Sequence, residues 1–205
     1  PRQFALVHSN ARTSWGHFLL EDRDFARNRL VYVYGRRGGK LVVARVACHD
    51  ADDFVRFGNW RFYSDGEWVE SQEDVTPIAD YAATDFSIHA SPAGHFVLIQ
   101  SPPGFVPAIS FAIASSPTGP FRPGTGFDLS TYRNEIDRHQ RYSYYAVSAH
   151  GGLSSGGYTG GMLISYVRSC AFSADAACNG KDADDDLADV YVPRFIDLPW
   201  RVIDP

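Results

Sequence analysis

The residues through which this chain can do chemistry are carboxylates and imidazoles at the ends of apolar runs. Asp85 opens Phe86-Ser87-Ile88-His89, where an unpaired carboxylate would be costly. Glu135 and Asp137 precede the run Tyr144-Tyr145-Ala146-Val147-Ser148-Ala149-His150. Cleavage of an acetal bond needs two carboxyl groups on opposite sides of that bond, ~5–5.5 Å apart for retention or ~6.5–9.5 Å for inversion. One has a raised pKa and delivers a proton; the other stays ionised. Asp85, Glu135 and His150 are therefore the candidate catalytic residues, Asp85 first. Each also has a plainer reading. Asp85 suits a strand end satisfied by backbone N–H groups, and Glu135 and Asp137 suit a solvated loop beside Arg133 and Arg138. His150 suits a core or turn position.

Other residues at strand starts can bind rather than react. Ser14-Trp15-Gly16-His17 and Thr84-Asp85-Phe86-Ser87-Ile88-His89 are two such starts, and they place Trp15, His17 and His89 among the candidate substrate-binding residues. Trp15 offers either an apolar ring face to a ligand or a core side chain. His150 can bond a hydroxyl or orient a carboxylate. Arg194, between Pro193 and Phe195, pairs with a carboxylate or braces a strand.

Several sharper motifs fail. Gly152-Leu153-Ser154-Ser155-Gly156 has the G-x-S-x-G pattern but leads into another strand, not the helix a nucleophile elbow requires. The glycine-rich run through Gly161 lacks the lysine and helix of a phosphate loop. The acidic stretches Asp182–Asp189 and His49–Asp53 lack the glycine and terminal Glu of a calcium loop and read as solvated loops. No Cys/His spacing suits zinc, so no metal and no cofactor is expected.

The elements that must position these residues are strands. The 205 residues suit one domain, 1–205, with 44% hydrophobic and 21% charged residues. Twenty-nine aromatic residues (14 Phe, 11 Tyr, 4 Trp) and thirty Gly and Pro favour turn-punctuated β-structure. Leu30–Tyr34 and Leu41–Val46 read as a hairpin across Gly35-Arg36-Arg37-Gly38-Gly39. Phe96–Gln100 with Ile109–Ala114, and Tyr144–Ser148 with Met162–Val167, form two more. No sustained 3.6-residue apolar period is present, so little helix is expected. After the second strand of the first two ribbons, Asn59–Trp68 and Ser116–Phe121 each put an aromatic residue after a turn, as an outer strand does. Repeated ribbons of this kind are the pattern of a β-propeller. Their spacing, 65 and then 48 residues, divides the chain into about 3.6 units, fewer than the roughly four to eight that close a ring.

The run Tyr142–His150, then Met162–Tyr166, then Tyr191-Val192-Pro193-Arg194-Phe195-Ile196, resembles the closing blade of a five-bladed propeller family, the DUF4185-like group. Val43–Val46, Trp60–Tyr63 and Asp85–Ile88 are similar to its middle blades, and Ser116–Phe121 is shared more widely by glycosidase-like propellers. The chain departs from the family at Gly151-Gly152, where the family has Pro and an acidic residue. The resemblance implies an all-β fold of the five-bladed type with about three to four blades in this chain, on residues 13–198. It also implies glycoside hydrolysis of a cell-wall or extracellular polysaccharide, since some members are endo-acting arabinofuranosidases on bacterial arabinan. The alternative is a non-catalytic glycan-binding or assembly propeller in a larger complex. Open blade edges call for a second chain or an N-terminal segment to complete the ring.

Charge and cysteines bound the setting. A net charge of −5 argues against a nucleic-acid or anionic-membrane partner, and no apolar run reaches the ~18–20 residues of a membrane helix. Cys170 and Cys178 flank a short loop suited to a disulfide, with a secreted or extracytoplasmic protein as the corollary and Cys48 left over; the plainer reading is three reduced thiols in a cytoplasmic protein. The start Pro1-Arg2-Gln3-Phe4 has neither an initiator Met nor a signal-peptide pattern and reads as a processed chain or part of a longer one.

Overall fold

The computed structural model describes residues 12–104, 106–132, 142–151, 153, 160–170 and 193–205. Among these residues the protein is all-β, with antiparallel sheets and only short helical turns. None of the described helices is long and apolar enough to cross a membrane. The chain forms two compact units, one from residues 1–84 and 114–122, the other from 85–113 and 123–205.

The first unit is built on a five-stranded meander: β1 (Thr13–Glu21), β2 (Leu30–Arg37), β3 (Lys40–Ala47), β4 (Arg61–Ser64) and β5 (Glu67–Val69). The first expected ribbon is present as β2 and β3, and both strands run further than their apolar cores. The turn is only Gly38-Gly39, both at positive φ (58° and 79°), which matches the right-handed twist of the strands it joins. Alternate residues Val31, Val33, Val42, Ala44 and Val46 turn inward onto Trp15, Trp60 and Phe62. The stretch Asn59–Trp68 supplies β4 and most of β5, so the expected outer strand is a pair. Ser116–Phe121 is not a strand. It docks by Tyr34 Oη donating to the Pro117 carbonyl (2.8 Å) and Phe121 N donating to the Ile78 carbonyl (2.8 Å). His49–Asp53 is not a bare loop either. Asp50 caps a helical turn, α1 being Phe25–Asn28 and α2 Ala51–Val55, by accepting from the N–H groups of Asp52 and Asp53.

The second unit contains two sheets. One places β6 (Phe86–Ala90), β7 (Phe96–Gln100), β8 (Ala108–Ala114) and β10 (Phe127–Asp128) side by side, with β9 (Arg122–Pro123) where the chain returns to the unit. The other runs β11 (Tyr142–His150), β12 (Gly161–Cys170), β13 (Pro193–Pro199) and ends in the turn α3 (Trp200–Ile203). Their shared core includes Val97, Ile99, Ile109, Phe111, Tyr144, Val147, Met162 and Ile164. Both remaining sequence ribbons, β7–β8 and β11–β12, are thus present.

The leading strands of the first and third sheets carry the same irregularity. In β1 the register with β2 shifts between Trp15 and Phe18, and in β11 the register with β12 shifts between Tyr145 and Ser148. Each bulge contains a residue at positive φ, Gly16 (82°) and Ala146 (54°). A bulge bends a strand and re-aims the side chains beyond it. His17 lies within the first bulge and His150 just beyond the second.

Gly35 on β2 shows how closely β1 is packed. A methyl group there would collide with the Ser14 carbonyl oxygen and come within 2.8 Å of the Trp15 ring. Backbone cannot yield as a flexible side chain does. Gly35→Ala is expected to lower the unfolding free energy by about 1–3 kcal/mol, read as a lower denaturant midpoint with an unchanged slope. An unchanged midpoint would contradict this packing.

Candidate functional site

On β12 and β13 the inward positions are Met162, Ile164 and Tyr166, opposite Leu198, Ile196 and Arg194. Residues of the other parity form the outward face. Two cross-strand rows occupy it, Ser148–Ser165–Phe195 and His150–Leu163–Asp197. His150 Nε2 lies 2.8 Å from Ser165 Oγ, which also donates to the Ser148 carbonyl at 3.3 Å. The Phe195 ring sits 6.3 Å from the imidazole, tilted by 48°, and Phe195 is 59% exposed. Leu153, also exposed, is tied to the His150 carbonyl through its N–H. A half-buried imidazole, a serine hydroxyl and an open aromatic ring therefore share one face.

His89 on β6 reaches the same strand from its free edge. It hydrogen-bonds the Ala149 backbone, while Ser87, two residues earlier, accepts from Ala149 N–H at 2.9 Å. Its imidazole pKa is pushed down to about 4. Burial disfavours the charged ring, the nearby His150 adds to that, and the bond to Ala149 partly opposes it. His89 is neutral at pH 7 and holds β11 in place.

The other expected residues have separate positions. Asp85 is exposed, just before β6, and no hydrogen bond reaches its carboxylate among the described residues. Trp15 is in the core of the first unit, 8% exposed, edge-on to Trp60 with its Nε1 donating to Gln72. Its ring face is used in packing. His17, also in the first unit, spends both ring nitrogens. Nδ1 donates to the Thr84 carbonyl (2.8 Å), which leaves Nε2 to accept from Ser14 Oγ (2.8 Å). Arg194 faces inward opposite Tyr166, on the other side of the sheet from His150. Glu135, Asp137, the Cys170–Cys178 pairing, Ser154 and Asp182–Asp189 lie outside the described residues or side chains. Among the candidates, His89 and His150 are brought together, and Trp15 and His17 belong to the first unit.

Sequence reading did not single out Ser165 or Phe195. Phe195 had a usable signal. In β13 the inward residues Ile196 and Leu198 fix the parity, so a large apolar residue at 195 falls on the outer face. Ser165 had none, because its value depends on being opposite Ser148. A third group also emerged. Asp204, its side chain 4% exposed, accepts from Ser91 Oγ (2.5 Å) and bonds His95 Nδ1 (3.0 Å). Serine and histidine both address the carboxylate, so the imidazole is not placed on the hydroxyl as a triad requires, and the group is a structural latch.

Residues 3–200 match the family described as a domain of unknown function, DUF5005. The chain belongs to the DUF5005 family. The match does not name the DUF4185-like group that the sequence resembles. No curated protein matches the chain. Among solved structures, this DUF5005 chain is similar to one described as a "putative hydrolase" from Bacteroides ovatus ATCC 8483, with 23% identity, a TM-score of 0.62, and coverage of 90% of this chain and 44% of the other. A "putative exo-beta-1,3-galactanase" from Bifidobacterium bifidum s17 (17% identity, TM-score 0.42) and an endo-arabinase from Bacteroides thetaiotaomicron VPI-5482 (14%, 0.43) each match over 74% of this chain and 44% of theirs. The chain spans less than half the length of these proteins, and the first likeness is one of fold.

The low pKa of His89 makes the second unit acid-sensitive. The unfolded imidazole takes up a proton near its ordinary value of about 6.5, whereas the folded one does so near about 4. The contribution of neutral His89 is complete above pH 6.5 and is lost as the pH falls through that window, by at most about 3 kcal/mol. Denaturant unfolding at pH 7, 5 and 4 should show the decline, and His89→Asn should flatten it. An equal slope in wild type and variant would remove His89 as the cause.

Proposed function

We propose that this chain is the carbohydrate-engaging part of a glycoside hydrolase built on a five-bladed type of β-propeller, acting on a cell-wall or extracellular polysaccharide of arabinan type. The observation that carries the reading is the open Phe195 ring beside His150 and Ser165 on one sheet face. An aromatic ring covers the apolar C–H face of a sugar while neighbouring polar groups bond its hydroxyls. The fold likeness to the B. ovatus hydrolase supports the architecture, and the sequence resemblance supports arabinan as the polymer. Hydrolysis is assigned to carboxylates, with Asp85 and Glu135 in that role and the remainder of the site supplied by a further segment or second chain.

The test is reducing-sugar release from arabinan together with affinity for arabino-oligosaccharides. Phe195→Ala should weaken binding by about tenfold with little change in stability, because the ring is already exposed. Asp85→Asn should lower turnover by about a hundredfold or more and spare binding. Wild-type affinity in Phe195→Ala would remove this face from the site. Full turnover in Asp85→Asn would remove that carboxylate from the mechanism.

A second reading, a non-catalytic assembly module, is favoured by the exposed apolar pair Phe195 and Leu153. Light scattering coupled to size exclusion separates the two, since a lone 22.7 kDa species argues against an obligate partner. An extracytoplasmic location is proposed with the Cys170–Cys178 disulfide, and peptide mapping without reductant that recovers both thiols free would end that part.

A further inference from the structure

His150 has one ring nitrogen to offer, and a neighbouring hydroxyl decides which. Ser165 Oγ carries a single proton, and the Ser148 carbonyl, 3.3 Å away across the strand pair, takes it. Toward His150 Nε2, at 2.8 Å, the same oxygen can then only accept. The hydrogen in that contact must therefore sit on Nε2. A neutral imidazole has one N–H, so Nδ1 of His150 carries the lone pair. Among the described residues nothing donates to that nitrogen. His17 shows the opposite outcome, with Nδ1 donating to Thr84 and Nε2 accepting from Ser14.

We propose that Ser165 is a positioning residue that holds His150 in the Nε2–H tautomer, so that Nδ1 accepts a hydrogen bond from a hydroxyl of the bound glycan. This rests on the reading of the Phe195 face as a sugar site. The ligand it selects is a sugar residue with a free hydroxyl next to an apolar C–H face, the second lying against Phe195. A glycan whose hydroxyls are capped as methyl ethers has no proton to give and loses this bond. Reversing the Ser165–His150 bond would turn Nδ1 into a donor and withdraw the serine proton from the Ser148 carbonyl, so the tautomer and the strand pairing are coupled.

Long-range nitrogen-15 NMR of the full chain, at a pH where imidazole is neutral, reads the tautomer directly. The expected result is a protonated Nε2 and an unprotonated Nδ1 in the wild type, and a drift toward both tautomers in Ser165→Ala. Ser165→Thr, which keeps the hydroxyl, should restore the wild-type pattern. Affinity for a linear arabino-oligosaccharide should fall about twofold in Ser165→Ala, as the binding tautomer drops to about half of the population, and return in Ser165→Thr, with the methylated oligosaccharide bound weakly by all three. A protonated Nδ1 in the wild type, or an unchanged tautomer in Ser165→Ala, would overturn the assignment of Ser165. If the tautomer is as stated but the oligosaccharide does not bind the wild type, the sugar reading falls and takes the ligand half of the proposal with it, while Ser165 keeps its role.

Discussion

The second unit depends on how the backbone of one residue is satisfied. β11 is an edge strand, and at Ala149 its N–H and carbonyl point away from β12. An edge strand normally meets water or another strand there, and burying either group without a partner costs about 1–3 kcal/mol. Here β6 supplies side chains in place of a strand. Ser87 accepts from the N–H, and His89, two residues on and so on the same face of β6, bonds the backbone of the same residue. This pairing brings β6 onto β11, buries His89 in its neutral form, and holds the strand end that carries His150.

The same constraint explains why similar residues have different uses. Trp15 and Phe195 are both large rings on strands that could receive a ligand. Trp15 points toward Trp60 and Phe62 and fills the first core, whereas Phe195 has the outward parity and stays open. His17 lies in, and His150 just after, a bulge in a leading strand. In His17 a backbone carbonyl and a serine use both nitrogens, so the ring is a brace. In His150 the serine uses one. The neighbours that each ring nitrogen meets among the described residues, not the residue type, separate the two imidazoles.

Much of the fold was legible because it is local. Apolar runs located β2, β3, β7, β8, β11 and β12, and the glycine-rich run 35–39 located the first turn, which is only its last two residues. The outer segments were read less well. Asn59–Trp68 reads as one aromatic stretch but is two strands around Asp65-Gly66, and Ser116–Phe121 reads as a turn leading into an outer strand but bonds to Tyr34 and Ile78 instead of entering a sheet. Asp50 was hidden within an acidic stretch until the next residues formed the helical turn it caps.

By itself the sequence determined where the main apolar strands and their turns lie, because apolar runs and turn residues act locally. The tertiary structure alone decided which polar group each of them meets. Asp204 finds Ser91 across 113 positions of sequence, and Ala149 finds Ser87 across 62. Hydrogen-bond satisfaction is a property of groups brought together by folding, and no local pattern encodes partners at that distance. It is this pairing that uses both ring nitrogens of His17 and, among the described residues, one of His150.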